Sequence, residues 1–268
     1  MADQKFPKAE RPDTTVVVTS CGRHDLLDRA LGSFVEFNSD PGAIARIVVV
    51  EDGEADPSEV CRRHGAELIR TGARAGQMAA IDTAYATVAT PYIFHHEDDR
   101  ELYRPGFLEK SRAILAADPS TVVVWLNPWD DKFGHPLSFE APDGSFGVLA
   151  TNYAGHWHGF TLQSGLRRLA DYKRLGSFAG QAVVTKAVHV RPTYGLQFEI
   201  EANQFYHRLG YRAVILDREG YCRHIGADRH VSHPKDKEFD FARAAVMSAP
   251  CPCGSGRRYV ECHGRGVV

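Results

Sequence analysis

Tyr92-Ile-Phe-His-His-Glu-Asp-Asp99 is a short apolar segment that runs directly into three consecutive carboxylates. An earlier segment, Ile47-Val-Val-Val-Glu-Asp-Gly53, has the same form, because a β-branched run ends in two acids. Buried parallel strands have this composition, and open α/β sheets bind ligands outside the carboxyl ends of such strands. The two segments therefore predict an α/β protein with carboxylates gathered at one edge of its sheet.

Strand and helix patterns alternate along the rest of the chain, which is typical of an α/β sandwich. Further strands are predicted at Thr14 to Thr19, Ala66 to Arg70, Val122 to Leu126, Ala213 to Leu216 and Tyr221 to His224. Helical spacing of apolar residues follows Arg23, and a further helix is predicted around Glu201 to Leu209, ending at Gly210. This order predicts one α/β domain over residues 1–248 and leaves residues 249–268 as a separate unit.

Composition excludes several classes of protein. The chain has 268 residues, of which 43% are hydrophobic and 25% charged, so it can build an ordinary globular core. Its net charge of -2 gives no global attraction to nucleic acid or to anionic membranes. The apolar runs are far shorter than the roughly 20 residues of a membrane helix. The first residues also lack the apolar segment of a secretion signal. We therefore expect a cytoplasmic protein without a membrane span.

The acidic residues at the predicted strand ends point to a metal ion. Carboxylates gathered at one edge repel each other and repel phosphate, and a divalent cation among them would remove both problems. Oxygen ligands favour a hard ion such as Mg²⁺ or Mn²⁺. Each acidic segment alone could equally be a turn or a solvated loop. Their occurrence together favours a site.

Three segments together resemble the GT-A nucleotide-sugar glycosyltransferases, in particular the large family 2-type group. The first is Val16-Val-Val-Thr-Ser-Cys-Gly-Arg-His-Asp-Leu-Leu27, a strand, a turn and an amphipathic helix. The second is the strand that ends in Glu51-Asp52-Gly53, and the third is the strand that ends in Glu97-Asp98-Asp99, at the place of the family's Asp-x-Asp motif. The resemblance covers Thr14 to about Gly226. It implies a Rossmann-like, mostly parallel sheet flanked by helices, with a nucleotide-diphosphate sugar as donor.

The resemblance also assigns roles to individual residues. The donor-binding set that it implies is Thr19, Ser20, Arg23, Asp52, Glu97 and Asp98. In this set Asp52 would contact the nucleobase and Glu97 would face the ribose. Asp99 stands at the last acid of Asp-x-Asp, which holds the Mn²⁺ or Mg²⁺ that bridges the donor diphosphate. His224 ends a strand where similar enzymes carry a histidine that completes the metal shell. Glu at the first acidic position departs from the more common Asp.

An inverting transfer needs a base that removes the proton of the attacking acceptor hydroxyl. Members of the family carry an acidic pair before a helix that ends in Gly-Tyr, and Gly210-Tyr211 occupies that place here. Counted back from Gly210, Glu199 stands at the position of the base, and Glu201 stands where a second acid is common. The alternative is that both are first-turn carboxylates that complement the helix dipole.

The last residues contain the most specific motif of the sequence. Cys251, Cys253, Cys262 and His263 supply the three thiolates and one imidazole of a closed tetrahedral zinc site. In a reducing compartment, such a cluster indicates a metal site rather than disulfides. The segment resembles the SEC-C motif over essentially its whole length. It predicts a zinc-stabilised knob (residues 249–268) that docks on a protein or nucleic-acid partner.

The residues thus favour a metal-dependent, inverting glycosyltransferase with a structural zinc knob. The acceptor is open: a glycan, a protein, a small molecule or, through a local basic patch, nucleic acid. That candidate patch is Arg167, Arg168, Lys173 and Arg174. Two alternatives remain. A nucleotidyltransferase is disfavoured because a Gly-rich phosphate loop with a following Lys is missing near the first strand. An inactive adaptor that works through the zinc knob would have no need for the acidic set.

Overall fold

A nine-stranded sheet with the spatial order β3-β2-β1-β4-β9-β6-β10-β8-β7 forms the centre of the molecule. The computed structural model describes residues 7–132, 134–181, 194–226, 229–231, 256–258 and 261. The strands of this sheet are β1 (Thr14–Ser20), β2 (Ile44–Glu51), β3 (Glu67–Arg70), β4 (Tyr92–Glu97), β6 (Thr121–Trp125), β7 (Leu137–Glu140), β8 (Phe146–Leu149), β9 (Gly165–Arg168) and β10 (Arg212–Leu216). Strands β3, β2, β1 and β4 run parallel, as do β6 and β10, whereas β9 is antiparallel to both of its neighbours.

Helices cover both faces of the sheet, as predicted for an α/β protein. They are α1 (His24–Phe37), α2 (Ser58–Arg63), α3 (Gln77–Tyr85), α4 (Phe107–Ala117), α5 (Leu169–Leu175), α6 (Phe178–Gln181) and α7 (Tyr194–Arg208). Alternate residues of a strand point to opposite faces. Accordingly, Val17 packs into the core beneath α3 and α7, whereas Val16 and Val18 pack into the core beneath α1 and α4. All three valines are fully buried.

The strands predicted from the sequence are present, with bounds that differ by up to three residues. The predicted helix near Gly210 is longer than expected, because α7 already includes Tyr194. Glu199 and Glu201 therefore lie inside this helix, and its first turn contains no acidic residue. The alternative that these two carboxylates complement the helix dipole from the first turn is wrong.

A small second sheet consists of β5 (Arg100–Leu102) and β11 (Cys222–His224), which pair antiparallel. In this register His224 lies opposite Arg100, one residue beyond Asp99. The backbone N–H of Ile225 then donates to the Asp99 carbonyl over 2.8 Å. The small sheet thus carries His224, which is distant in sequence, to the acidic end of β4. Strand β5 was not predicted, because three residues with two charges among them show no apolar alternation.

The basic patch predicted at residues 167–174 is not a continuous surface. Arg167 is only 3% exposed. Arg168 donates to the backbone carbonyls of Thr121 and Asp118 over 2.7 and 3.0 Å. Two of the four predicted cations, Arg167 and Arg168, are therefore engaged by groups of the protein itself. The predicted patch gives no support for a nucleic-acid acceptor. In the part of the chain that the structure describes, no helix is both long and apolar enough to span a bilayer.

Candidate active site

The carboxyl ends of β1, β2 and β4 enclose a cavity of about 150 Å³. Its lining includes all six predicted donor-binding residues and Asp99. The register accounts for this convergence, because Thr19 of β1 lies opposite Glu97 of β4, and Ser20 lies opposite Glu51 of β2. Parallel strands end at one edge, so acids far apart in the sequence share one pocket.

Arg23 is the main cation facing these acids. Its Nε donates to Oδ2 of Asp98 over 3.2 Å, and its Nη2 pairs with the other oxygen of the same carboxylate. Its Nη1 donates to Oδ2 of Asp99 over 2.8 Å and to the Arg229 carbonyl over 3.1 Å. One planar guanidinium thus joins two neighbouring carboxylates and the segment that follows β11.

The surroundings of Glu97, Asp98 and Asp99 shift the pKa values of these three carboxyl groups in different directions. Burial raises the pKa of Asp98 to about 6 even though Arg23 opposes the shift. Burial also raises the pKa of Glu97, with Arg100 opposing and the nearby carboxylates of Asp99 and Glu199 adding to the rise. For Asp99, burial acts upward as well, but a hydrogen bond from His224 and the Arg23 charge outweigh it and lower the pKa. Asp99 is therefore the acid held most firmly as an anion, which suits a cation ligand.

Asp52 supports the wall of the cavity. Its Oδ1 accepts a hydrogen bond from the Ala75 N–H over 2.7 Å, and its Oδ2 accepts one from the Gly76 N–H over 2.9 Å. Gly76 immediately precedes α3, so the carboxylate also satisfies a donor at the start of that helix. Asp52 thus attaches the loop before α3 to the end of β2 while it lines the pocket.

Asp99 and His224 provide a donor pair that fits a hard divalent cation. Nε2 of His224 lies 3.4 Å from Oδ2 of Asp99. Among the described residues, no group of three or more His, Cys, Asp or Glu side chains could hold an ion by itself. Mg²⁺ in phosphate-binding sites takes one or two protein ligands and completes its shell with substrate phosphates and water. Asp99 lines the cavity and His224 contacts Asp99, so these two side chains could supply such a pair of ligands.

Gly226 packs directly against Asp99 and Arg23, and its replacement by alanine should disturb the site more than the fold. An added Cβ would lie 2.5 Å from the Asp99 Cβ and 3.3 Å from Nη1 of Arg23. We expect Gly226→Ala to weaken metal-dependent nucleotide binding by roughly tenfold or more, since small displacements of a preorganised site are costly. Isothermal titration with a nucleoside diphosphate and Mn²⁺ measures the effect.

Gly42→Ala is the matched control, because an added Cβ there meets no atom within 4 Å. It should bind nucleotide as the unmodified chain does. Equal nucleotide affinity in Gly226→Ala and Gly42→Ala would show that displacing Asp99 does not weaken metal-dependent binding. Asp99 would then not be the residue that holds the ion.

Glu199 of α7 is held by the turn that precedes β9. Its Oε1 accepts hydrogen bonds from the Leu162 N–H over 2.7 Å and from the Thr161 hydroxyl over 3.0 Å. One helical turn later, Asn203 accepts from the backbone N–H groups of His158 and Phe160 over 2.8 and 2.9 Å. Helix α7 and this turn are thereby fastened together at two levels.

The second predicted acid of α7 has a different environment. Two residues along a helix correspond to a rotation of about 200°, so Glu201 projects from another face than Glu199. Oε1 of Glu201 accepts a hydrogen bond from Nε2 of Gln197 over 2.9 Å. The charge of Glu199 contributes to the raised pKa of Glu97, which lines the cavity.

Several residues of the cavity were not identified from the sequence. They are Cys21, Arg74, Gly76, Gln77, Ala80, Gly195 and Val231, whereas His230, which also lines the cavity, was a sequence candidate for an acceptor or phosphate contact. Gln77 donates from Nε2 to Oε1 of Glu97 over 3.2 Å. The sequence feature that could have identified Gln77 as a cavity residue is its place directly after a glycine, at the start of a helix. His230 and Val231 follow β11, and Arg229 beside them pairs with Asp25 of α1. Nothing in a single sequence predicts that this segment returns to α1.

The four predicted zinc ligands, Cys251, Cys253, Cys262 and His263, lie outside the described residues. A family model, the SEC-C motif, matches residues 247–265 and so includes all four. No curated protein matches the chain in sequence.

The solved structures that share the fold include the following two. The mannosyltransferase PcManGT from Pyrobaculum calidifontis, in complex with GDP-Man and Mn²⁺, is 17% identical with a TM-score of 0.58. The match covers 94% of this chain and 76% of that protein. S. aureus TarS is 14% identical with a TM-score of 0.54, and the match covers 88% of this chain and 38% of TarS. The chain therefore has the α/β fold of these proteins, and the GT-A architecture implied by the sequence motifs is confirmed.

Proposed function

We propose that this protein is a divalent-metal-dependent, inverting glycosyltransferase that takes a sugar from a nucleoside-diphosphate donor. The observation that carries the proposal is the cavity at the strand ends, which Arg23 and Asp99 line and where Asp99 also contacts His224. A carboxylate and an imidazole that face a guanidinium provide a cation site and a diphosphate partner side by side. The bound GDP-Man and Mn²⁺ of the mannosyltransferase with this fold agree in ligand type.

In this proposal the pocket binds the donor through its polar rim. Asp52, Thr19 and Ser20 face the nucleoside, and Glu97 and Asp98 face the ribose and the diphosphate. Arg23 exchanges its contact with Asp99 for phosphate oxygens, which guanidinium groups bind well. A divalent ion held by Asp99 and His224 would neutralise charge that develops on the diphosphate leaving group.

Glu199 acts as the general base. As the acceptor oxygen forms its bond to the anomeric carbon, the bond from that carbon to the diphosphate breaks, and the hydroxyl proton passes to Glu199. Attack from the side opposite the leaving group inverts the anomeric configuration. Burial raises the pKa of Glu199, although the hydrogen bonds from Leu162 and Thr161 oppose this rise. A carboxylate with a raised pKa is a stronger base than an exposed one.

A thermal-shift comparison tests the donor class. The full chain is heated with GDP, UDP, ADP or CDP, each with Mn²⁺ and with EDTA. A ligand at about 100 times its Kd adds about 2.7 kcal/mol of stability. This corresponds to a rise in Tm of about 5 to 10 °C for a chain of this size. We expect such a rise for at least one nucleotide in Mn²⁺ only; the absence of any metal-dependent rise would contradict the proposal.

The C-terminal SEC-C segment is proposed to form a zinc knob that docks on a partner macromolecule. Three thiolates and one imidazole complete a tetrahedral shell, so Cys253→Ser should lose the ion because a neutral hydroxyl replaces a thiolate. We expect one zinc per chain in the unmodified protein and none in the variant, measured by elemental analysis. Cys61→Ala, which removes a thiol of α2 outside the motif, should retain zinc.

Cys253→Ser also tests whether the zinc knob is independent of the α/β domain. Soluble expression and nucleotide binding should persist in Cys253→Ser, as they should when residues 249–268 are deleted. Collapse of the protein on deletion would show that the segment is part of the main core. A full complement of zinc in Cys253→Ser would refute the ligand assignment.

A further inference from the structure

Arg167 of β9 is a buried cation that the donor pocket does not use. Its side chain belongs to a residue that is only 3% exposed. Its Nη2 donates to the carbonyls of Gln163 and Thr161 over 3.1 and 3.4 Å. Its Nε and Nη1 have no hydrogen-bond partner within the described part of the chain. Burial of a guanidinium with unpaired donors is costly, and the Cζ of this guanidinium lies 5.8 Å from the centre of the Phe160 ring.

Arg167 is connected to Glu199 through the turn that precedes β9. Arg167 holds the carbonyls of residues 161 and 163, while the hydroxyl of Thr161 and the N–H of Leu162 point the other way, to Oε1 of Glu199. The same three-residue turn is thus fixed from one side by a cation and presents two donors to a carboxylate on the other. A change at Arg167 is transmitted to Glu199 through one peptide segment.

The charges around Glu199 come from three other elements. Arg167 of β9 and Arg100 of β5 favour its anionic form, and Glu97 of β4 is the neighbouring acid. From α5, Asp171 faces a lower part of α7, where its carbonyl accepts from the Tyr206 hydroxyl over 3.0 Å. Burial raises the pKa of Glu199, and the hydrogen bonds from the turn and the two arginine charges limit the rise.

We propose that Arg167 is a positioning residue for the reaction at this site: it fixes the 161–163 turn that holds Glu199 and places a positive charge behind that turn. The inference rests on the proposed function, in which Glu199 is the general base. A purely structural arginine would stabilise the sheet without affecting the protonation of Glu199. The positioning role and the purely structural role therefore predict different titration behaviour of Glu199, which can be measured.

Arg167→Gln tests the charge. Glutamine can still donate to a carbonyl but is neutral, so the Glu199 carboxylate loses a nearby cation. The chain is labelled with ¹³C at the glutamate side-chain carboxyl, and the Glu199 signal is identified by its absence in Glu199→Gln. We expect the NMR titration midpoint of Glu199 to rise by about one pH unit in Arg167→Gln. An unchanged midpoint would overturn the proposal.

Arg168→Gln is the matched control. Arg168 is the next residue of β9, and it also donates to backbone carbonyls, but it pairs with Asp171 over 3.0 Å. Its replacement removes the same charge and more hydrogen bonds, four against the two of Arg167. The Glu199 midpoint should stay where it is in the unmodified chain. An equal rise in both variants would show a general loss of packing and would contradict a specific role for Arg167.

Arg167→Lys tests the positioning and remains informative if the glutamine variant does not fold. The ammonium keeps the charge but lacks the planar fork that reaches two carbonyls. We expect transfer at saturating donor to fall about tenfold, because a misplaced catalytic group is inefficient. The acid limb of the pH profile and the KM for the donor should not move. Full activity would contradict the positioning role.

The outcome separates this inference from the proposed function. If Glu199→Gln retains transfer, the assignment of the base is wrong, whatever the Arg167 variants do. If Glu199→Gln is inactive and both Arg167 variants behave as the unmodified chain does, the base stands and the positioning role is wrong.

Discussion

Asp99→Ala should abolish metal-dependent nucleotide binding while the protein stays folded. Asp99 accepts from Arg23 and lies beside His224 at the mouth of the cavity, so its loss removes the carboxylate of the proposed ion site. The fold should survive, because Arg23 retains its two contacts with Asp98 and the residue follows β4 rather than filling a core. Isothermal titration of the best-binding nucleoside diphosphate in Mn²⁺ and in EDTA measures the effect.

Glu36→Ala is the control for the loss of one negative charge. Glu36 is exposed on α1 and does not line the cavity. It should leave both affinities as they are in the unmodified chain. Unchanged affinity of Asp99→Ala in Mn²⁺, with Tm equal to that of the control, would show that the ion is bound elsewhere.

Glu199→Gln should reduce transfer by about 100-fold or more while donor binding survives, because the amide keeps the size of the side chain but cannot accept a proton. The amide oxygen can still accept the hydrogen bonds that now come from Leu162 and Thr161. The effect is measured as the rate of sugar transfer, or of nucleoside-diphosphate release, at saturating donor. Donor affinity is measured separately by titration calorimetry.

Glu201→Gln distinguishes the two acids of α7. Glu201 accepts from Gln197 and projects from another face of the helix, so this variant should retain nearly full activity. A large loss in Glu201→Gln with little loss in Glu199→Gln would move the base by two residues. In the unmodified chain, activity should rise with pH through the raised pKa of Glu199, because only the deprotonated carboxylate can accept the proton.

The local features of this fold could be predicted from the sequence because they depend on short-range periodicity. Runs such as Val48 to Val50 and Val122 to Val124 can only be buried strands, and the acids that follow β2 and β4 necessarily end at the same edge of a parallel sheet. The donor-binding residues came from the family resemblance, which rests on the segments that contain these strand ends. The SEC-C motif was equally accessible, since its ligand spacing is contained in 19 consecutive residues.

Tertiary structure alone decided which charges meet. Arg23 and Asp98 are 75 residues apart, and their contact depends on β1 and β4 being neighbours in the sheet. Arg167 looked like part of a basic surface, since a sequence of four strand residues does not reveal which face is covered. The insertion of β9 between β4 and β6 buries that cation and places it behind the turn that holds Glu199. Periodicity determines which segments become strands, whereas strand order and register, set by the packing of the whole sheet, determine the partners of each charged side chain.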